Sequence, residues 1–145
     1  MQILIFSKNR AQQLNLLLKS LYKNAPQFPD ISVIHTWSSE QFKLGYDKLI
    51  KIYPDVKFVV ENGFRNTTLQ EIEKSTELIC PMVDDDIFYR PTSIVIEEIK
   101  ECLNNIQNSV LSFRLGTNIT VGDNFTNEPV IQPVFTQIRN ENRNL

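Results

Sequence analysis

The stretch "ILIFSKNRAQQLNLLLKSL" (residues 3–21) decides how the chain is read. Its first four residues are continuously apolar, which suits a short strand buried on both faces. "SKNR" then breaks the run. Beyond it, Leu14, Leu17, Leu18 and Leu21 fall at i, i+3, i+4 and i+7, one face of an amphipathic helix. Asn24 and Pro26 stop that helix. The opening unit is therefore strand, polar loop, helix, and the fold depends on whether that unit recurs.

It recurs along most of the chain. "ISVIHT" (31–36) reads as a second strand. Ser38 with Gln41 has the pattern of a capping box, and Phe42, Tyr46, Leu49, Ile50 and Tyr53 keep helical spacing up to Pro54. "VKFVV" (56–60) is a third strand and "ENGFRN" the loop after it. Thr68 and Glu71 suggest a cap for a short helix reaching about Ser75. "LICPMV" (78–83) is a fourth strand. Because Pro81 lacks a ladder donor, that strand is expected to carry a bulge or a locally unpaired side. Pro91 suits the first turn of a helix whose apolar face is Val95, Ile99, Cys102, Leu103 and Ile106. "VLSFRLG" (110–116) follows as a fifth strand. "NITVGDNF" and "PVIQPVF" read as shorter extended pieces around a Gly122-Asp123-Asn124 turn, and 139–145 is a polar tail.

Alternation of this kind predicts an α/β domain over 1–145, with a mainly parallel sheet and helices on both faces. Such sheets bind ligands beyond the carboxyl ends of their strands, near the switch in strand order. Four loops then share one rim: Ser7–Arg10, His35–Ser39, Glu61–Asn66 and Asp84–Tyr89.

Composition excludes several alternatives. A formal charge of −2 on 145 residues leaves no electrostatic footprint for nucleic acid. No apolar run approaches the roughly 20 residues of a membrane span, and no secretory lead precedes "QILIF", so a cytoplasmic protein is expected. Peripheral association with a membrane stays open. Cys80 and Cys102 form no C-x-x-C pair, which argues against zinc and redox motifs. His35, the lone histidine, lacks partner ligands for zinc. It is read as a structural, hydrogen-bonded residue, with general base as the sharper alternative.

The rim's most telling feature is Asp84-Asp85-Asp86, at the end of the fourth strand. Three adjacent carboxylates repel one another, and a hard divalent cation resolves the repulsion. In an extended segment alternate side chains share a side, so Asp84 and Asp86 would face one site while Asp85 points elsewhere. The plainer reading is a solvated loop with one aspartate capping the next helix.

Taken in order, "ILIFSKNRAQQLNLLLKSL", "ENGFRN" and "LICPMVDDDIFYRP" resemble the nucleotide-sugar-binding half of GT-A glycosyltransferases, especially the family 2 type. The resemblance covers roughly residues 2–107 and implies a Rossmann-like GT-A domain. On it, 108–138 form short acceptor-side strands. It implies a nucleoside-diphosphate-sugar donor, a manganese or magnesium ion held by Asp86 and Asp84, and a glycan or lipid-linked acceptor. Ser7, Lys8, Asn9, Arg10, Trp37, Arg65, Asp84 and Asp85 would surround the donor. Asp84, Asp86 and Glu128 would form the catalytic set, with Asp123 a second candidate base and Arg114 a contact to phosphate or acceptor. The family's acidic residue after the second strand is absent from "HTWSSEQ", so Trp37 either stacks on the base or packs.

Two other functions compete. One is a catalytically inactive or truncated GT-A-like module that binds a nucleotide without turnover. The other is a phosphoacceptor domain of the receiver type, disfavoured because "SKNR" lacks the acidic pair that magnesium needs there.

Overall fold

The computed structural model describes residues 1–28, 30–76, 78–92, 96–105, 120–122 and 129–131. They belong to two compact units, Met1–Ser93 and Ile94–Leu145. The first holds β1 (Gln2–Lys8), α1 (Ala11–Asn24), β2 (Asp30–Thr36), α2 (Glu40–Ile52), β3 (Lys57–Val60), α3 (Phe64–Lys74) and β4 (Ile79–Val83). In the second are α4 (Ile96–Asn105), β5 (Thr120–Gly122) and β6 (Pro129–Ile131).

The strands of the first unit form one parallel sheet in the order β3-β2-β1-β4. Ile3, Leu4 and Ile5 are consecutive and all buried. Successive side chains of a strand point to opposite faces, so both faces of β1 are covered. The α1 leucines Leu14, Leu17, Leu18 and Leu21 are buried as their spacing predicts. From β1 the chain steps outward through β2 to β3, then returns past both to β4. Right-handed crossovers assign α1 and α2 to one face and α3 to the other, because the last crossover runs the opposite way.

Several boundaries differ from the sequence reading. α2 begins at Glu40 behind Ser39, and no side chain caps it. Ser38 is engaged elsewhere: its N–H donates to Asn9 Oδ1 and its hydroxyl accepts from Asn9 Nδ2. α3 starts at Phe64, not near Thr68, because Gly63 turns the chain at φ 78°. Thr67 Oγ1 accepts the Asn62 N–H, and Glu71 is drawn to Lys57 and Lys74 rather than to a cap. Half of the expected "ENGFRN" loop is thus helix, and Arg65 lies in its first turn. Pro81 causes no bulge, since β4 pairs with β1 in unbroken register from Gln2↔Ile79 to Phe6↔Val83. Among the described residues β4 has one neighbour, so the missing donor falls where an edge tolerates it. Pro91 precedes α4 rather than entering its first turn.

In the second unit β5 and β6 pair antiparallel, Thr120↔Ile131 to Gly122↔Pro129, as the two extended pieces suggested. The expected strand at 110–116 and the tail lie outside the described residues, as do Arg114, Asp123 and Glu128. Among the described residues, no helix is long and apolar enough to cross a membrane.

Candidate functional site

β1 and β4 are neighbours, while the strands that follow β1 in the chain, β2 and β3, lie on its other side. This is the switch in strand order, beside which such sheets bind ligands. Asp84 immediately follows β4, and Ser7 lies near the end of β1. The Ser7 hydroxyl donates to Asp84 Oδ2 at 2.8 Å. Arg10 reaches the same turn from the start of α1, its Nη1 lying 3.5 Å from Asp84 Oδ1 and 3.2 Å from Asp85 Oδ2. Asp84 is 4% exposed, so its charge depends on these partners rather than on water.

The acidic segment is a turn, not an extended strand end. The Asp86 N–H donates to the Val83 carbonyl at 3.0 Å, and Asp86 Oδ2 accepts the Val83 N–H at 3.0 Å. The expected sharing of one side by Asp84 and Asp86 therefore does not hold. Arg10 instead bridges Asp84 and Asp85, while the Asp86 carboxylate closes the turn on its own backbone.

Asn9 sets the geometry of the loop after β1. It adopts φ 61°, a left-handed conformation that asparagine tolerates better than most residues. Its side chain makes two hydrogen bonds with Ser38, and its N–H donates to the Thr36 carbonyl. That side chain is committed to joining the loops after β1 and β2. Lys8 and Arg65 are exposed. Trp37 stacks on His35 with ring centroids 5.6 Å apart, and Lys43 Nζ lies over the Trp37 ring at 5.8 Å from its centroid. Among the described residues no hydrogen bond or ion pair joins Lys8, Trp37 or Arg65 to the acidic turn.

His35 is buried among Trp37, Tyr46 and Phe58. Burial pushes its pKa down against the pull of Asp47, so the ring is neutral at pH 7. Neither ring nitrogen has a hydrogen-bond partner among the described residues, contrary to the expected hydrogen-bonded histidine.

Tyr46 was legible in sequence only as one apolar position of α2. Its ring is fully buried, yet its hydroxyl lies 2.8 Å from Ser7 Oγ and accepts the Arg10 N–H at 3.1 Å. The approach depends on Gly45: a Cβ there would stand 2.8 Å from the Ala11 Cβ. An isolated glycine inside a helical pattern is the signal that could have pointed to this close packing, and the sequence reading did not use it.

Every acidic side chain of the turn offers oxygen alone, the donor type that magnesium and manganese prefer. No group of three or more His, Cys, Asp or Glu forms a cage among the described residues. A cation there would take one or two of these carboxylates and complete its shell with water and phosphate oxygens. The guanidinium of Arg10 occupies the cationic position between Asp84 and Asp85.

No family model and no solved structure matches the chain. Over 133 residues it is 32% identical to the bifunctional glycosyltransferase pgtA of Dictyostelium discoideum. The alignment takes in 82% of this chain but only 17% of that protein, so the chain spans about a sixth of its relative's length. The similarity relates this chain to a glycosyltransferase.

Proposed function

We propose that the chain is a GT-A, family 2-like glycosyltransferase domain that moves a sugar from a nucleoside diphosphate to an acceptor hydroxyl on a glycan or lipid-linked molecule. The observation that carries this reading is the convergence of Ser7, Arg10, Asp84 and Asp85 at the switch point, in a chain similar to a glycosyltransferase. In transfer, the acceptor oxygen bonds to the anomeric carbon as the bond from that carbon to the diphosphate oxygen breaks. The electron pair leaves with the nucleoside diphosphate, and the acceptor proton passes to a base, the role proposed for Glu128. A divalent cation supplies Lewis-acid neutralisation of the departing diphosphate when bound. Asp84, with Asp85 or Asp86, would hold it. Arg10 would supply a second positive charge to the phosphates, since a guanidinium matches their oxygens in a forked geometry. Ser7 and the Asn9-fixed loop would orient the nucleotide, and Trp37 would flank the base.

The test is thermal stability with UDP, GDP and dTDP, each with and without manganese, for wild type and for Asp86→Asn and Asp84→Asn. A ligand that binds only the folded state raises the melting temperature. A manganese-dependent rise with one nucleotide, lost in an aspartate variant, is expected and names the base. Absence of any rise would sink the donor-site reading. The alternative is a nucleotide-binding module without turnover, favoured by the charge balance that Arg10 already gives the acidic turn. It predicts binding without metal dependence and no donor hydrolysis.

A further inference from the structure

The hydrogen bonds behind Asp84 have only one consistent direction. A backbone N–H can only donate, so the Arg10 N–H places its hydrogen on the Tyr46 oxygen at 3.1 Å. Ser7 Oγ has a single hydrogen and gives it to Asp84 Oδ2 at 2.8 Å. The remaining 2.8 Å contact must therefore run from the Tyr46 hydroxyl to Ser7 Oγ. The chain Arg10 N–H to Tyr46 to Ser7 to Asp84 ends on a carboxylate, and each link polarises the next. Burial pushes the Tyr46 phenol up, which keeps its proton available for donation at neutral pH.

The ring that delivers this hydroxyl has no freedom to wander. It is fully buried and stacks on His35 at 4.7 Å between centroids. Its helix is held against the start of α1 by the Gly45–Ala11 approach. A phenylalanine would have packed here equally well, so core packing alone does not account for the hydroxyl.

We propose that Tyr46 is a positioning residue of the candidate site: acting through Ser7, it fixes the Asp84 carboxylate in the orientation that meets a nucleoside diphosphate and its cation. The assignment of a ligand to Asp84 rests on the function proposed above; the relay itself rests on the geometry alone.

A double-mutant cycle tests it. Wild type, Tyr46→Phe, Ser7→Ala and the double variant are titrated with manganese plus UDP, GDP and dTDP by calorimetry, and each is unfolded in urea. Tyr46→Phe should weaken binding of the preferred nucleotide by about 2- to 10-fold, the worth of one hydrogen bond. The double variant should bind no more weakly than Ser7→Ala, because Tyr46 acts only through that hydroxyl. Independent losses that multiply in the double variant would overturn the relay, as would an unchanged affinity in a merely destabilised Tyr46→Phe. Should wild type bind none of the nucleotides, the proposed function fails, and the urea cycle decides the relay: coupled losses uphold it and additive losses overturn it. If Tyr46→Phe folds poorly, the same series is run in concentrated sucrose, which favours the compact state.

Discussion

Gly45→Ala sets two effects of opposite sign against each other. Gly45 lies inside α2, where alanine is favoured over glycine by about 1 kcal/mol. Against that, the new methyl would stand 2.8 Å from the Ala11 Cβ, where carbon atoms normally rest about 3.5–4.0 Å apart. Both atoms are fixed to helix backbones, so no rotamer change relieves the clash and α2 must move away from α1. Over-packing of this kind costs about 1–3 kcal/mol. Movement also lengthens the Tyr46–Arg10 hydrogen bond and the 2.7 Å bond from Tyr53 to Asn15, for about 1 kcal/mol more. The clash should win, leaving a net loss of about 1–3 kcal/mol. In a unit of this size that lowers the melting temperature by about 5–15 °C. Urea unfolding of wild type, Gly45→Ala and Gly45→Ala/Ala11→Gly is the assay. The second substitution removes the opposing methyl and should recover most of the loss. A Gly45→Ala protein as stable as wild type would show that the helices do not approach as closely as described.

Acid titration addresses Glu71, a carboxylate with a side chain 2% exposed. Burial raises its pKa, but hydrogen bonds and charge from Lys57 and Lys74 outweigh burial and leave it below the ordinary 4.5. A depressed pKa contributes stability above the unfolded value and loses it as pH falls through the folded one. Glu71→Gln should therefore flatten the fall in stability below about pH 4.5; parallel curves for the two proteins would refute the pairing. Cys80 offers a second measurement: burial, with the Asp86 charge adding, pushes its thiol from 9.0 up to about 11. In a Cys102→Ser background, iodoacetamide at pH 8 should label it at least about tenfold more slowly than a cysteine peptide, after allowing for the greater nucleophilicity of a high-pKa thiolate. Equal rates would contradict the burial. At Asn9, alanine should cost about 1–3 kcal/mol, through left-handed strain and two lost bonds to Ser38. Glycine should cost less because it accepts φ 61° freely, and equal costs in a denaturant series would remove the backbone from the explanation.

The parts of the fold read correctly from sequence are those written in local periodicity. The α1 leucines announce their face, and the apolar runs of β1 and β2 lie within the observed strands. α3 began early because its start is set by backbone geometry at Gly63, which no side-chain pattern records. The Ser38 box failed because Asn9, 29 residues away, claims both groups a cap would use. At the site, chain order placed Asp84 at the carboxyl end of β4, where it meets Ser7 and Arg10, but the alternation drawn for an extended segment could not hold once Val83–Asp86 closed as a turn. Tyr46 was hidden more deeply. Hydrophobic spacing locates its ring and is silent about the hydroxyl, whose partners depend on how closely two helices meet.

The strand order also fixes when Ser7 and Arg10 can meet the acidic turn during folding. β1 pairs with β2 across 28 positions of sequence, Gln2 to Asp30, whereas its β4 partner for the same residue is Ile79. Closing the longer loop costs about 1 kcal/mol more in chain entropy, so the pairing of β1 with β4 is the later event. A half-folded chain with β3, β2 and β1 in place has Ser7 and Arg10 but no acidic turn opposite them. Anything that grips Asp84 therefore acts on the last contacts made and the first released: it would slow the unfolding limb of a chevron and leave the refolding limb in place.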